Sequence, residues 1–74
     1  MTPEQYRKAL TKLDLTQVAA GDLFRVGHRT SRRWALGEAR IPWTVALLLR
    51  LMVKRRLTLE EMERYARQAN AAEG

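Results

Sequence analysis

The segment PWTVALLLRLMVKRR, residues 42–56, is the hardest part of this chain to accommodate. Read as a helix opened by Pro42, it carries two apolar stripes. One is Val45, Leu48, Leu49 and Met52, and the other is Trp43, Leu47 and Leu51. A helix that is apolar on two sides is normally covered on both. One stripe can fill the core of a small domain. The other needs a further helix or a second subunit. The run Val45–Val53 is broken by Arg50 and falls far short of the ~20 residues that a membrane span needs. The segment therefore demands a helical bundle in water.

The rest of the chain supplies that bundle. No period-2 run of β-branched residues marks a strand, while helix signals are dense. Thr2-Pro3-Glu4-Gln5 is a capping box with proline at the first helical position, followed by Tyr6, Ala9, Leu10 and Leu13 on one face. Thr16 caps a second helix carrying Val18, Ala19, Ala20, Leu23 and Phe24. A third helix starts near His28 and stops at Gly37, a residue that tolerates the left-handed conformation. Thr58-Leu59-Glu60-Glu61 is a second capping box, opening a fifth helix with Leu59, Met62, Ala66 and Ala69 on one side. Glu60 with Arg64, and Glu63 with Arg67, are spaced to pair along it, and residues 70–74 are expected to fray. The expected fold is all-α: one domain, residues 1–74, of five helices at about 3–13, 17–24, 28–36, 42–56 and 59–70.

A 74-residue chain supports one small core, and oligomerisation is a common remedy for its marginal stability. With no cysteine and one histidine, neither a disulfide framework nor a metal site is expected. No basic segment followed by an apolar run opens the chain, so a soluble cytoplasmic protein is expected. Charge is uneven. Residues 1–56 hold twelve Lys/Arg against four Asp/Glu, whereas residues 57–74 hold two against four. A basic body suggests a polyanionic partner.

Residues 16–37, TQVAAGDLFRVGHRTSRRWALG, read as one unit. Gly21 sits inside the second helix, where glycine costs ~1 kcal/mol relative to alanine. Close approach of the third helix would explain it. Val26 can tuck into the turn, and Ala20, Phe24 and Trp34 can lock the pair. This is a helix-turn-helix, which presents its second helix outward. Such a helix fits the major groove of B-DNA and reaches base edges with its N-terminal residues. Here these are His28 and Arg29, with Arg32 and Arg33 one turn later. An arginine fork can donate two hydrogen bonds to guanine. Thr30 and Ser31 could add single contacts to phosphate or bases. Thr16, Gln17 at the second helix's N-terminus, and Arg40 beyond the third helix are candidates for the DNA backbone.

LTQVAAGDLFRVGHRTSRRWALGE resembles the Cro/CI-type helix-turn-helix family of phage repressors and small bacterial regulators, the XRE-like family. The likeness is carried by Leu15-Thr16-Gln17, Gly21, Phe24, Val26, Arg33-Trp34 and Gly37. It implies a five-helix lambda-repressor-like bundle that binds specific double-stranded DNA, usually as a dimer on two half-sites. By position, His28, Arg29 and Arg33 match base-facing sites, and Gln17 and Arg40 lie near the backbone. Two residues depart from the pattern. Arg25 stands where the family usually has glycine in a left-handed turn, at a cost of roughly 1–2 kcal/mol unless Gly27 reshapes the turn. Ser31 stands where an inward apolar residue is usual, so it must find a hydrogen bond.

The expected function is sequence-specific DNA binding by a transcriptional regulator, as a homodimer joined through Trp43, Leu47 and Leu51 or through the fifth helix. The rival expectation is a protein-interaction module that uses the apolar face of helix 42–56. No nucleophile–base–acid set points to an enzyme. No cofactor, small-molecule ligand or membrane partner is expected.

Overall fold

A computed structural model describes residues 1–73 of the chain, with side chains described through Gln68. The described residues form five α-helices and no strand: α1 (Pro3–Lys12), α2 (Gln17–Leu23), α3 (His28–Leu36), α4 (Trp43–Arg55) and α5 (Leu59–Glu73). α1 packs against α3 and α4, α2 packs most closely against α3, and α5 lies against α2.

The starts of the helices follow their side chains. Thr2 Oγ1 accepts from the Gln5 N–H at 3.1 Å while Gln5 Oε1 accepts from the Thr2 N–H at 2.9 Å, a complete capping box. Thr16 Oγ1 accepts from the Ala19 N–H at 3.0 Å. At α5, Thr58 Oγ1 accepts from the Glu61 N–H, but the Glu61 carboxylate reaches the Thr58 hydroxyl rather than its N–H. The expected box there is half formed. Pro42 is the cap of α4 rather than its first helical residue.

The ends of the helices share one device. After α1, α2, α3 and α4 the chain takes a left-handed residue: Asp14 (φ 55°), Arg25 (φ 58°), Gly37 (φ 77°) and Arg56 (φ 54°). Each time, the following N–H bonds back to a carbonyl five residues earlier: Leu15 to Leu10, Val26 to Gly21, Glu38 to Arg33 and Leu57 to Met52. This is the Schellman closure, which satisfies carbonyls that a helix end would otherwise strand. It ends α1 at Lys12, α2 at Leu23 and α4 at Arg55, each one residue before the sequence-based bound. In three of the four, the residue after the left-handed position is apolar (Leu15, Val26 and Leu57) and turns inward. α5 continues as helix through Glu73, past the expected end at 70, and Gly74 lies outside the described residues.

The core joins Tyr6, Ala9 and Leu10 of α1, Ala20 of α2, Trp34 and Ala35 of α3, and Val45, Ala46, Leu49 and Met52 of α4, with Leu15 and Ile41 from the loops. Tyr6 meets Trp34 edge to face, ring centroids 5.9 Å apart. Phe24 and Val26 pack half-buried against this cluster. The first expected stripe of α4 is buried except Leu48, and Ala46 joins it. The second stays in solvent: Trp43 is 75% exposed, Leu47 47% and Leu51 43%. α5 does not cover it. Leu59 and Met62 of α5 are half-buried, Tyr65 is exposed, and Ala69 lies outside the described side chains. Neither Glu60–Arg64 nor Glu63–Arg67 forms an ion pair, since these exposed side chains gain little from holding one geometry.

Candidate functional site

α3 divides sharply into two faces. Ser31, Trp34 and Ala35 are buried. His28, Arg29, Arg32, Arg33 and Leu36 are exposed and occupy the opposite arc. The split follows from helical periodicity, because positions i, i+1, i+4, i+5 and i+8 share one side. α3 carries no acidic residue, so Arg29, Arg32 and Arg33 make the arc cationic, with His28 at one end and Leu36 at the other. Arg29, Arg32, Arg33 and Leu36 line a shallow groove whose far edge is Glu38. Arg33 also reaches the Glu38 carbonyl at 3.4 Å.

The pose of α3 is fixed from beneath by a hydroxyl relay. Ser31 Oγ donates to the Gln17 carbonyl at 2.7 Å and lies 2.8 Å from the Tyr6 hydroxyl. A serine has one hydrogen, and a carbonyl can only accept. Ser31 therefore spends its hydrogen on Gln17, and Tyr6 must donate to Ser31. The chain Tyr6→Ser31→Gln17 ties α1, α3 and α2 together inside the protein. Tyr6 and Ser31 are both fully buried, and no buried side-chain polar atom among the described residues lacks a partner. Burial pushes the Tyr6 pKa above its ordinary value. The Ser31 hydroxyl opposes this in part, and it can face a phenolate only by releasing the Gln17 carbonyl. A second tie is the Arg7 guanidinium of α1, which donates to the Ala35 carbonyl of α3.

The relay corrects one expectation and meets another. Ser31 is not available to an outside partner. It does, however, find the hydrogen bond that an inward serine requires. The turn brings further corrections. Arg25 adopts the left-handed conformation outright, and its guanidinium donates to the Asp22 carbonyl at 3.2 Å. Gly27 does not relieve it, because Gly27 is extended (φ −65°, ψ 151°) and caps α3 without a side chain. Gly21 is buried, but its close neighbours are the turn's backbone and His28 rather than the body of α3. A methyl group at Gly21 would stand 3.4 Å from the Val26 carbonyl oxygen and 3.5 Å from the Gly27 oxygen, which is ordinary contact.

The remaining candidates fall in three places. Thr30 is half-buried at the edge of the arc. Thr16 is exposed with its oxygen capping α2, and Gln17 is half-buried with its carbonyl in the relay. Arg40 is exposed in the loop before α4 and lines a different groove, beside Trp43, Leu47 and Arg50. Two further residues adjoin the arc. Asp22 Oδ1 holds His28 Nε2 at 2.9 Å across the turn, and Leu36 sits among the arginines at 55% exposure. Leu36 was legible as i+4 from Arg32. Asp22 was not, since it belongs to another helix. Among the described residues, no cluster of His, Asp or Glu could hold a metal ion, and no helix is long and apolar enough to cross a membrane.

Comparison of the chain with family models, with curated proteins and with solved structures finds no match.

Proposed function

We propose that this chain is a sequence-specific double-stranded DNA-binding protein acting as a transcriptional regulator. In this reading α2 and α3 form the helix-turn-helix of a lambda-repressor-like bundle, and α3 enters the major groove. The observation that carries the proposal is the divided face of α3. Four cationic or ionisable side chains, His28, Arg29, Arg32 and Arg33, face solvent, while the opposite side is locked into the core. A rigid helix with a cationic outer arc meets the steric and electrostatic demands of the groove. Arg29 and Arg33 are assigned to base edges, with His28 and Arg32 assisting. Leu36 offers an apolar contact of the kind a thymine methyl accepts. Gln17, Thr16, Thr30 and Arg40 are assigned to the phosphate backbone. The Cro/CI resemblance of residues 15–37 supports the same assignment.

The proposal extends to a homodimer, through the exposed stripe of α4 or through α5. Two copies related by a two-fold axis would meet two half-sites about one helical turn apart.

The test is selection from a randomised duplex library at physiological salt. A recovered motif with two related halves supports specific binding by a dimer. Retention without any motif reduces the activity to phosphate attraction. No retention removes the proposal and leaves a protein-interaction module, the reading favoured by the exposed Trp43, Leu47 and Leu51.

A further inference from the structure

The outer side of α4 carries a second cationic feature, remote in sequence from α3. Lys8 and Lys12 of α1 stand one helical turn apart, and so do Arg50 and Lys54 of α4. These four cations line one cleft between the two helices, over a floor that includes Ala9 and Val53. No carboxylate lines the cleft. All four cations are exposed, and none forms an ion pair among the described residues.

The cleft continues into a second groove. Met1 and Arg50 line both, and the second adds Trp43, Leu47 and Arg40, again with no carboxylate. From Trp43 to Val53 the continuous surface follows about 15 Å of α4. Apolar side chains (Ala9, Val53, Trp43 and Leu47) and cations (Lys8, Lys12, Arg40, Arg50 and Lys54) share this surface.

We infer that this α1–α4 surface docks an acidic amphipathic helix of a partner protein, with apolar side chains in the cleft and carboxylates against its cations. Charge complementarity selects the occupant, since a helix with an apolar stripe and flanking Glu or Asp satisfies both parts of the surface at once. A phosphate backbone would satisfy the cations but leave Trp43, Leu47 and the cleft floor uncovered. The cleft encloses about 290 Å³ and the adjoining groove about 510 Å³, and both are open. They therefore suit inserted side chains. A second copy docked face to face would oppose these cations to themselves, so of the two homodimer interfaces proposed above only α5 is compatible with this inference. The inference does not rest on DNA binding by α3.

The experiment uses the full chain and a fluorescein-labelled designed peptide of about three to four helical turns, with Leu at i, i+3, i+4 and i+7 and Glu elsewhere. Anisotropy should show saturable binding that weakens with added salt. Lys8→Glu with Lys12→Glu should weaken it at least about tenfold, and Trp43→Ala should do the same. Arg50→Glu is an independent variant on α4. All four substitutions lie on exposed positions, and circular dichroism checks that the helices persist. The same peptide with Lys in place of Glu should not bind. Equal binding of both peptides, or unchanged binding by the Lys8/Lys12 and Arg50 variants, overturns the inference. So does capture by vesicles containing anionic lipid together with indifference to the acidic peptide. Sedimentation showing dimers broken by Trp43→Ala would assign the surface to a second copy and also overturn it.

Discussion

The Tyr6–Ser31–Gln17 relay makes an unequal prediction for its two hydroxyls. Ser31→Ala removes the middle of the chain. The buried Tyr6 hydroxyl then has no acceptor, and the Gln17 carbonyl loses a donor. An orphaned buried donor costs about 1–3 kcal/mol. Tyr6→Phe is milder, because Ser31 keeps its hydrogen on Gln17 and the ring keeps its edge-to-face contact with Trp34. A lost neutral hydrogen bond of this kind costs about 0.5–1.5 kcal/mol. The double variant strands no tyrosine hydroxyl. Its cost should therefore be no greater than that of Ser31→Ala alone and fall short of the sum by at least about 1 kcal/mol. Urea unfolding followed by tryptophan fluorescence measures all four proteins. A loss of about 2 kcal/mol would also lower Tm by roughly 8–16 °C in a domain of this size. Additivity within about 0.5 kcal/mol would refute the reasoning. So would a Ser31→Ala variant that is no less stable than Tyr6→Phe.

Four other outcomes are expected. Replacing the left-handed arginines, Arg25→Gly or Arg56→Gly, should each stabilise the fold by about 0.5–1 kcal/mol, because the Cβ penalty exceeds the entropy that glycine adds to the unfolded chain. Gly37→Ala should destabilise it by about 1–2 kcal/mol or more, since a Cβ there is left-handed and stands 3.0 Å from Pro3 Cγ; denaturant melts check both signs. Tyr6 has a folded pKa raised above the reference of 10.0, so its contribution is intact below about pH 10 and is lost as pH rises toward the folded value. The wild type should accordingly lose stability faster than Tyr6→Phe as pH rises above about 10, and parallel curves would contradict this. On the best selected duplex, Arg29→Ala should cost about 1–3 kcal/mol and relax one base position, while Arg40→Ala should weaken all sequences alike and reduce the salt slope by about one. Equal losses on specific and random DNA would remove the division of roles.

The five helices, the bounds of α3 and the Gly37 stop were legible because side-chain caps and 3.6-residue periodicity are local signals. The stops of α1, α2 and α4 each fall one residue before their sequence-based bounds, and only the family resemblance marks Arg25 as left-handed, because a search for glycine cannot find Asp14, Arg25 or Arg56. A different signal was present: a polar residue in the left-handed position followed at once by an apolar one, as in Asp14-Leu15, Arg25-Val26 and Arg56-Leu57. The apolar residue inserts into the core while its N–H closes the helix, and that burial offsets the strain of the preceding residue. The cationic arc of α3 was legible from spacing alone. The Asp22–His28 contact, the half-formed box at Thr58 and the separate groove of Arg40 depend on where helices meet, which a single-helix pattern does not contain.

The two departures from the resembled family pattern belong to the same mechanical problem, the placement of α3 on α2. An apolar residue at position 31 would hold the two helices by packing alone, without a directional bond. The serine instead fixes one atom of α3 to one carbonyl of α2 and one hydroxyl of α1. A left-handed Arg25 keeps the turn closed with Val26 bonded back to Gly21. Arg25 also donates to the Asp22 carbonyl, and the Asp22 carboxylate holds His28. The connection from α2 to α3 thus trades some backbone strain for directional bonds at both ends of the turn. If α3 reads DNA, this placement sets which base each arginine reaches. Ser31→Ala should then change the recovered sequence motif, whereas a purely energetic role for the relay would lower stability and leave the motif unchanged.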